Sequence, residues 1–591
     1  MIGVVHNRKD GDSEYTTNVL KMSLPYFLAI LLNLVVLQVT VGQNFEILTR
    51  LGKVNGVILP SPEGNVYRFT GIPFGKSPTG SRRFRKPQPY GSWNETLDAT
   101  KFGPPCIQSL KSEVFNSVSE DCLQLNIYVP YNMTREVKRS VMVFIHGGAY
   151  MAGSAIDEDG SKFASFGNVI FVTINYRLGI FGFPSMQNPN VDENVGIWDQ
   201  MLALKWIKNN IDDYGGNSSD VTIFGQSAGG FSVNLLMMIP RNKGLFHRAI
   251  LQSGTANSLV AFKRFSDLGR RIGTNAGCRD QDPRMFVKCI QNLDAGSLVN
   301  STLNYSSTLG INVLTEIVFS PILDNDLFLR TPMEIIHDKF SAEFQFFEST
   351  DMIAGNCDEE GGYIAQYATF FEKQYNFSVV DGIPKRFLCD GVIPSIVELY
   401  YKNSSSISET ICEEYSSNDK TTQSLNAAHL LSDFVFISSA VSALQAHSFN
   451  QKSSTYQYIF SEDIRPFYTN MPKWYHGAVH GTELAFMFVA KDMYPTNFTL
   501  SQDQMKFARD KINYWTNFAK TGNPNGPGLS EWRPFTPSLQ FFKQLSMTNT
   551  TNGKDYRKEQ VKMWNTLNDS EYTLSSAPFQ QIKTIWLPFG Y

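Results

Sequence analysis

The sequence predicts an α/β fold: a central, mostly parallel sheet flanked by helices on both faces, with large helical and loop insertions. Three observations carry the expectation. The stretches VMVFI from Val141 and NVIFVTINYR from Asn168 are continuously apolar and lack a polar face, as strands buried on both sides do. Helical patterns alternate with them, as in NVGIWDQMLALKWIKNNI from Asn194, where Ile197, Met201, Leu204 and Ile207 share one face. Lastly, VTIFGQSAGGFSVNLLMM from Val221 reads as a buried strand that reverses directly into a helix, with Phe231, Leu235 and Met238 at helical spacing.

Composition narrows the partners. At 591 residues and 42% hydrophobic content the chain is able to bury a large core. No Pro/Ser-rich linker, charge block or internal repeat divides it, so residues 43–591 read as one domain with many insertions. The net charge of −3 comes from 52 basic and 55 acidic residues, well mixed, and with no basic stripe a nucleic-acid partner is not expected. Seven cysteines are too few for a disulfide-built scaffold, and the odd count leaves at least one thiol unpaired within the chain.

The apolar run LPYFLAILLNLVVLQVTV from Leu24 follows Lys21, and Thr40 and Gly42 suit positions −3 and −1 of a cleavage site. Residues 1–42 therefore read as a secretory signal with an N-terminal extension, Met22 being an alternative start. Left uncleaved, the run is a signal anchor, the one route to a membrane. Acceptor sequons at Asn94, Asn132, Asn217, Asn300, Asn304, Asn376, Asn403, Asn497, Asn549 and Asn568 fit an extracellular surface and require exposed positions.

In chain order, Phe45–Leu59 reads as a hairpin punctuated by Gly52 and Gly56, and SEDCLQLNIYVP as a half-buried strand with Leu123, Leu125, Ile127 and Val129 alternating. Cys106 and Cys122 either close a loop of about fifteen residues, worth roughly 3 kcal/mol through the unfolded state, or are two buried thiols. After the strand at Val141, His146-Gly147-Gly148-Ala149 forms a turn nearly free of side chains, so the backbone N–H groups of Gly148 and Ala149 are candidate oxyanion donors. His146 reads as part of that loop's structure. At the strand-to-helix reversal, Gly225 and Gly229 leave room for a tight elbow with Ser227 at its tip and the N–H of Ala228 aimed at a developing oxyanion.

Farther along, GLFHRAILQSG from Gly244 is a strand, and Cys278 and Cys289 lie close enough for a second small loop. DMIAGNCDEEGG from Asp351 is a strand running into the acidic turn Asp358, Glu359 and Glu360, which on its own reads as a solvated turn. The last third reads as mostly helical and loop-rich. His476 and His480 stand four apart, but Gly477 argues against a helix presenting both to a metal, and no metal or cofactor is expected. Serine needs an imidazole to take its proton and a carboxylate to orient that imidazole, and the order Ser227, acid, histidine suits a sheet of this architecture.

With these motifs in register, the chain from about Phe45 to Trp564 resembles the type-B carboxylesterase and cholinesterase family, which has the α/β-hydrolase fold. SEDCLQLNIYVP and GQSAGG look like its signatures, and GLFHRAILQSG is typical of it. The resemblance implies Glu360 in GNCDEEG as the triad acid and His480 in GAVHGTE as the base, with Gly148, Ala149 and Ala228 forming the oxyanion hole. It implies a secreted serine hydrolase of small carboxylic esters. Alternatives are a choline-ester hydrolase, an interfacial lipase, and a catalytically dead adhesion protein of the neuroligin kind. The segment between Cys106 and Cys122 lacks the tryptophan that stacks on choline in cholinesterases, Phe115 being its only aromatic. No cysteine follows Cys412, so the family's third bridge is missing. The pairing of Cys357, Cys389 and Cys412 stays open at this point, a Cys389–Cys412 bridge with Cys357 free being one arrangement.

Overall fold

The computed structural model describes residues 44–61, 64–108, 118–131, 137–401, 404–463, 471–488, 500–548 and 550–571. The leader expected over 1–42, the sequons at Asn132, Asn403, Asn497 and Asn549, and Phe115 lie outside the described residues.

Thirteen strands build one sheet. They are β1 (Asn44–Thr49), β2 (Gly52–Leu59), β3 (Val66–Pro73), β4 (Leu97–Asp98), β5 (Gln124–Pro130), β6 (Arg139–Ile145), β7 (Ile170–Ile174), β8 (Gly216–Gln226), β9 (Arg248–Gln252), β10 (Asp351–Cys357), β11 (Thr455–Phe460), β12 (Phe541–Leu545) and β13 (Asn552–Lys554). Their order is β1-β2-β3-β5-β7-β6-β8-β9-β10-β11-β12-β13, with β4 beside β2. From β7 to β12 every neighbouring pair is parallel, whereas the pairs from β1 to β7 along that order and the pair β12/β13 are antiparallel.

Parallel strands need crossover connections, and the helices that supply them cover both faces. Val143, Ile145, Ile223, Leu251 and Ala354 face the layer containing helices Val195–Asn210 and Ala228–Met237. Phe144, Phe171, Phe224, Ile250 and Ile353 face the opposite layer, where Trp515 and Phe518 of helix Gln502–Thr521 pack. The alternation along each strand thus feeds two cores, which is why these strands read as unbroken apolar runs.

One expectation is corrected here. Strand β5 is not half-buried: all of Leu125–Pro130 is buried, because Tyr128 packs on the Phe171 ring in the second layer while Asn126 Nδ2 donates to Ala155 O and Thr173 Oγ1. Within the mostly helical and loop-rich last third, the short strands β11, β12 and β13 extend the sheet. Three disulfides are formed, Cys106–Cys122, Cys278–Cys289 and Cys389–Cys412, and Cys357 is a buried free thiol.

Candidate active site

Register places the site. Gln226 at the end of β8 pairs with Gln252 at the end of β9, which pairs with Gly355 near the end of β10. The segments leaving these carboxyl ends carry Ser227 and Glu360, and the loop after β11 brings His480 back to them. Parallel α/β sheets place their chemistry at that edge.

Ser227 sits between β8 and helix Ala228–Met237 with φ 58° and ψ −125°. This strained conformation is rare for a residue with a side chain and has the geometry expected of a tight strand-to-helix elbow. The turn closes because its flanking glycines touch backbone: a methyl on Gly229 would lie 2.0 Å from Ile145 O, and one on Gly225 would lie 2.5 Å from the Gly229 carbonyl carbon. The Ser227 N–H donates to Gln252 O at 2.9 Å, tying the elbow to β9.

The three acidic residues after β10 have three different partners. Glu360 is fully buried. One of its oxygens lies 2.6 Å from His480 Nδ1, and the other accepts the Cys357 N–H at 2.8 Å and the Asn356 amide at 3.3 Å. Glu359 lies 2.7 Å from His429 Nε2. Asp358 accepts the Ala478 N–H at 2.8 Å, and burial raises its carboxyl to about 7 despite that bond.

Because Glu360 accepts at Nδ1, the neutral imidazole carries its proton there and leaves a lone pair on Nε2. In this structure that nitrogen lies 3.3 Å from the side-chain amide of Gln226, the residue before Ser227, and the Ser227 hydroxyl is not hydrogen-bonded to it. Bonds of this kind commonly tighten only when substrate binds. His476, by contrast, is exposed and belongs to no such pair.

The glycine turn after β6 runs alongside. Gly147 packs against the Ser227 Cβ, and Gly148, Ala149 and Tyr150 have φ of 99°, 53° and 59°. Positive φ at two consecutive residues with side chains is strain of the sort that accompanies function. Tyr150 anchors the stretch, accepting the Gly179 N–H at 2.7 Å on its carbonyl and packing on Phe183. Among the described residues, the N–H groups of Gly148, Ala149 and Ala228 donate to no protein acceptor. His146 is buried and stacked on Tyr176, and burial lowers its imidazole to about 4, so it stays neutral within the loop.

The sequence reading missed Gln226, Asn356 and the Glu359–His429 pair. Gln226 stands inside the elbow motif, where only its small neighbours drew notice, and nothing in the sequence pairs His429 with a turn 70 residues away. Among the described residues no group of three or more His, Cys, Asp or Glu side chains is placed to hold a metal ion.

Comparison with known proteins gives the family. The profile of the carboxylesterase family matches residues 43–564. A medium-chain fatty acyl-CoA hydrolase precursor of Anas platyrhynchos is 31% identical over 89% of this chain and 92% of its own length. Carboxylesterase 1C of Mus musculus is 31% identical over 88% of this chain and 92% of its own. Acetylcholinesterase of Bungarus fasciatus is 30% identical over 88% and 86%, respectively.

Proposed function

The chain belongs to the carboxylesterase family, and its relatives mark it as a carboxylic ester hydrolase; we propose that it works as a secreted serine esterase through an acyl-enzyme. Ser227 is the nucleophile, His480 the base and Glu360 the orienting acid. The observation that carries this reading is the 2.6 Å contact between Glu360 and His480 Nδ1, which turns the lone pair of the opposite nitrogen, 3.3 Å from the Gln226 amide, toward the elbow to accept a proton.

His480 Nε2 takes the hydroxyl proton as Ser227 attacks the ester carbonyl, and Glu360 steadies the imidazolium that forms. Negative charge on the carbonyl oxygen is received by the N–H groups of Gly148, Ala149 and Ala228. Their preorganised dipoles need no rearrangement during the step, and loss of one such donor typically costs ~10²–10³ in rate. The alcohol departs with the proton, and water then attacks the acyl-enzyme with the same imidazole assisting.

The substrate is a small uncharged ester in this reading. Choline esters are disfavoured because the segment between Cys106 and Cys122 has no tryptophan to stack on a quaternary ammonium. Retention of all three candidate triad residues argues against a dead adhesion protein. Ser227→Ala abolishes turnover of a small activated ester in this account, and undiminished turnover by that variant would overturn it. A panel spanning acyl chain length, choline esters and an acyl thioester then orders the substrate classes.

A further inference from the structure

The helical run Lys420–His447 passes behind the site and is irregular. Helices Lys420–Leu431 and Ser438–His447 are joined by a π-turn, Ser432–Ile437. Such a turn interrupts the regular hydrogen-bond ladder, re-aims side chains and recurs at functional sites. Here hydroxyls take up its loosened carbonyls. Ser438 Oγ donates to Asp433 O at 2.7 Å, Ser439 Oγ to Phe436 O at 3.0 Å, and Ser258, from the segment after β9, to Val435 O at 2.6 Å. The buried Asp433 carboxylate accepts from Tyr415 and Arg557, both at 2.7 Å.

This fixed turn meets the candidate triad twice. Ser432 Oγ accepts the N–H of Gly361, the neighbour of Glu360, at 2.8 Å. Phe436, buried, lays its ring on the His480 imidazole with centroids 4.4 Å apart and planes at 27°. The other groups on that imidazole are the Glu360 carboxylate at Nδ1 and the neutral Gln226 amide at Nε2. Of the carboxyls nearby in the chain, Asp358 and Glu359 are engaged by the Ala478 N–H and by His429, and the buried Glu483 accepts from Gln252 and from the Cys357 thiol.

We propose that Phe436 is a positioning residue for ester hydrolysis, a π face that the irregular turn holds against His480 to fix its plane and favour its cationic form. The inference rests on His480 being the base. The contacts at Nδ1 and Nε2 hold two ring atoms and leave the ring free to tilt about the line through them; a face stacked on the ring removes that tilt. When the imidazole takes the serine proton its charge develops over the Phe436 face, where the ring quadrupole attracts a cation. The contact donates nothing and titrates nothing, so it acts only through His480.

The test is a series at position 436 on the full chain, read as kcat, KM and the acid limb of the kcat profile against pH. Phe436→Leu keeps apolar bulk and removes the π face. It lowers kcat about three- to tenfold with KM within about twofold, and moves the acid limb to lower pH by roughly half a unit. Replacement by trifluorophenylalanine preserves ring shape and depletes the face of negative charge, so it reproduces the shift even if the leucine variant fails to fold. Phe436→Tyr, which keeps the π face, retains the wild-type limb. An unshifted limb and unchanged kcat in the trifluoro variant would overturn the proposal. If Ser227→Ala still hydrolyses the ester, the triad reading itself fails, whatever position 436 does.

Discussion

In the proposed mechanism the chemistry at His480 depends on which nitrogen holds the proton, and the Glu360 carboxylate at Nδ1 sets it. Glu360→Gln keeps the shape but presents an amide to Nδ1, which favours the wrong tautomer. The expected loss in kcat is about 10³–10⁴-fold with KM little changed, measured on a small activated ester. Two other histidines make a separate prediction about stability. His146 and His447 are both buried, and burial lowers each from 6.5 to about 4. The unfolded chain therefore binds these protons more tightly than the folded one. Stability is present above about pH 6.5 and lost as pH falls through 4, on the order of 3 kcal/mol for each histidine. Asp358 runs the other way: raised to about 7, it contributes stability at acid pH that is lost as pH rises through that value. Burial also raises the carboxyls of Glu158, Glu193, Asp199 and Asp433, so the histidine contribution is read by difference. Between pH 6.5 and 4 the urea midpoint of the wild type should fall relative to that of His447→Gln, and parallel pH profiles for the two would count against this assignment. Phe436 shows what residue-level reading of the sequence could not supply. In LLSDFVFISSAV it is one apolar residue among many, and only the π-turn sets its direction.

Among the elements, the strand–elbow–helix unit at Val221–Met238 was the most legible, since its strand, its small residues and its helix each leave a distinct pattern within eighteen residues. The acidic turn was the least legible. Asp358, Glu359 and Glu360 are chemically alike in sequence, and only their partners separate them: a backbone N–H, a histidine from a distant helix, and His480. Strands β11, β12 and β13 are short, and the pairings of β11 with β10 and of β12 with β11 join segments far apart in the chain. The elbow also yields a mutational prediction. Gly229→Ala places a methyl against the Ile145 carbonyl, where backbone and not a flexible side chain must yield. Destabilisation of about 1–3 kcal/mol is expected, with loss of activity before loss of fold. The Cys389–Cys412 bridge spans 23 residues and fastens the segment that brings Tyr415 to Asp433 of the π-turn. Replacing both cysteines by alanine should cost about 3 kcal/mol in the unfolding free energy, with the other two bridges intact.

Across the whole molecule, the two-sided sheet and the site at its carboxyl edge followed from the order of strands and helices, whereas the approach of His480 to Glu360 over 120 residues needed the fold. The surface bears on the secreted reading. Of the described sequon asparagines, Asn94, Asn300, Asn304 and Asn376 are exposed, while Asn217 and Asn568 are half-buried. Asn568 also accepts a 2.6 Å bond from Tyr401 on its side chain. On protein expressed through the secretory route, glycopeptide mass mapping should find glycans at the four exposed sites and none at Asn568. Empty exposed sites would contradict that reading.

The central claim is that one serine at the sheet edge becomes acylated. Treating the folded protein with an organophosphate and mapping the modified peptide by mass tests it most directly. The account predicts one covalent adduct, on the peptide containing Ser227, formed in step with loss of esterase activity and absent in His480→Ala. An adduct on another serine, or inactivation that leaves the Ser227 peptide unmodified, would contradict it.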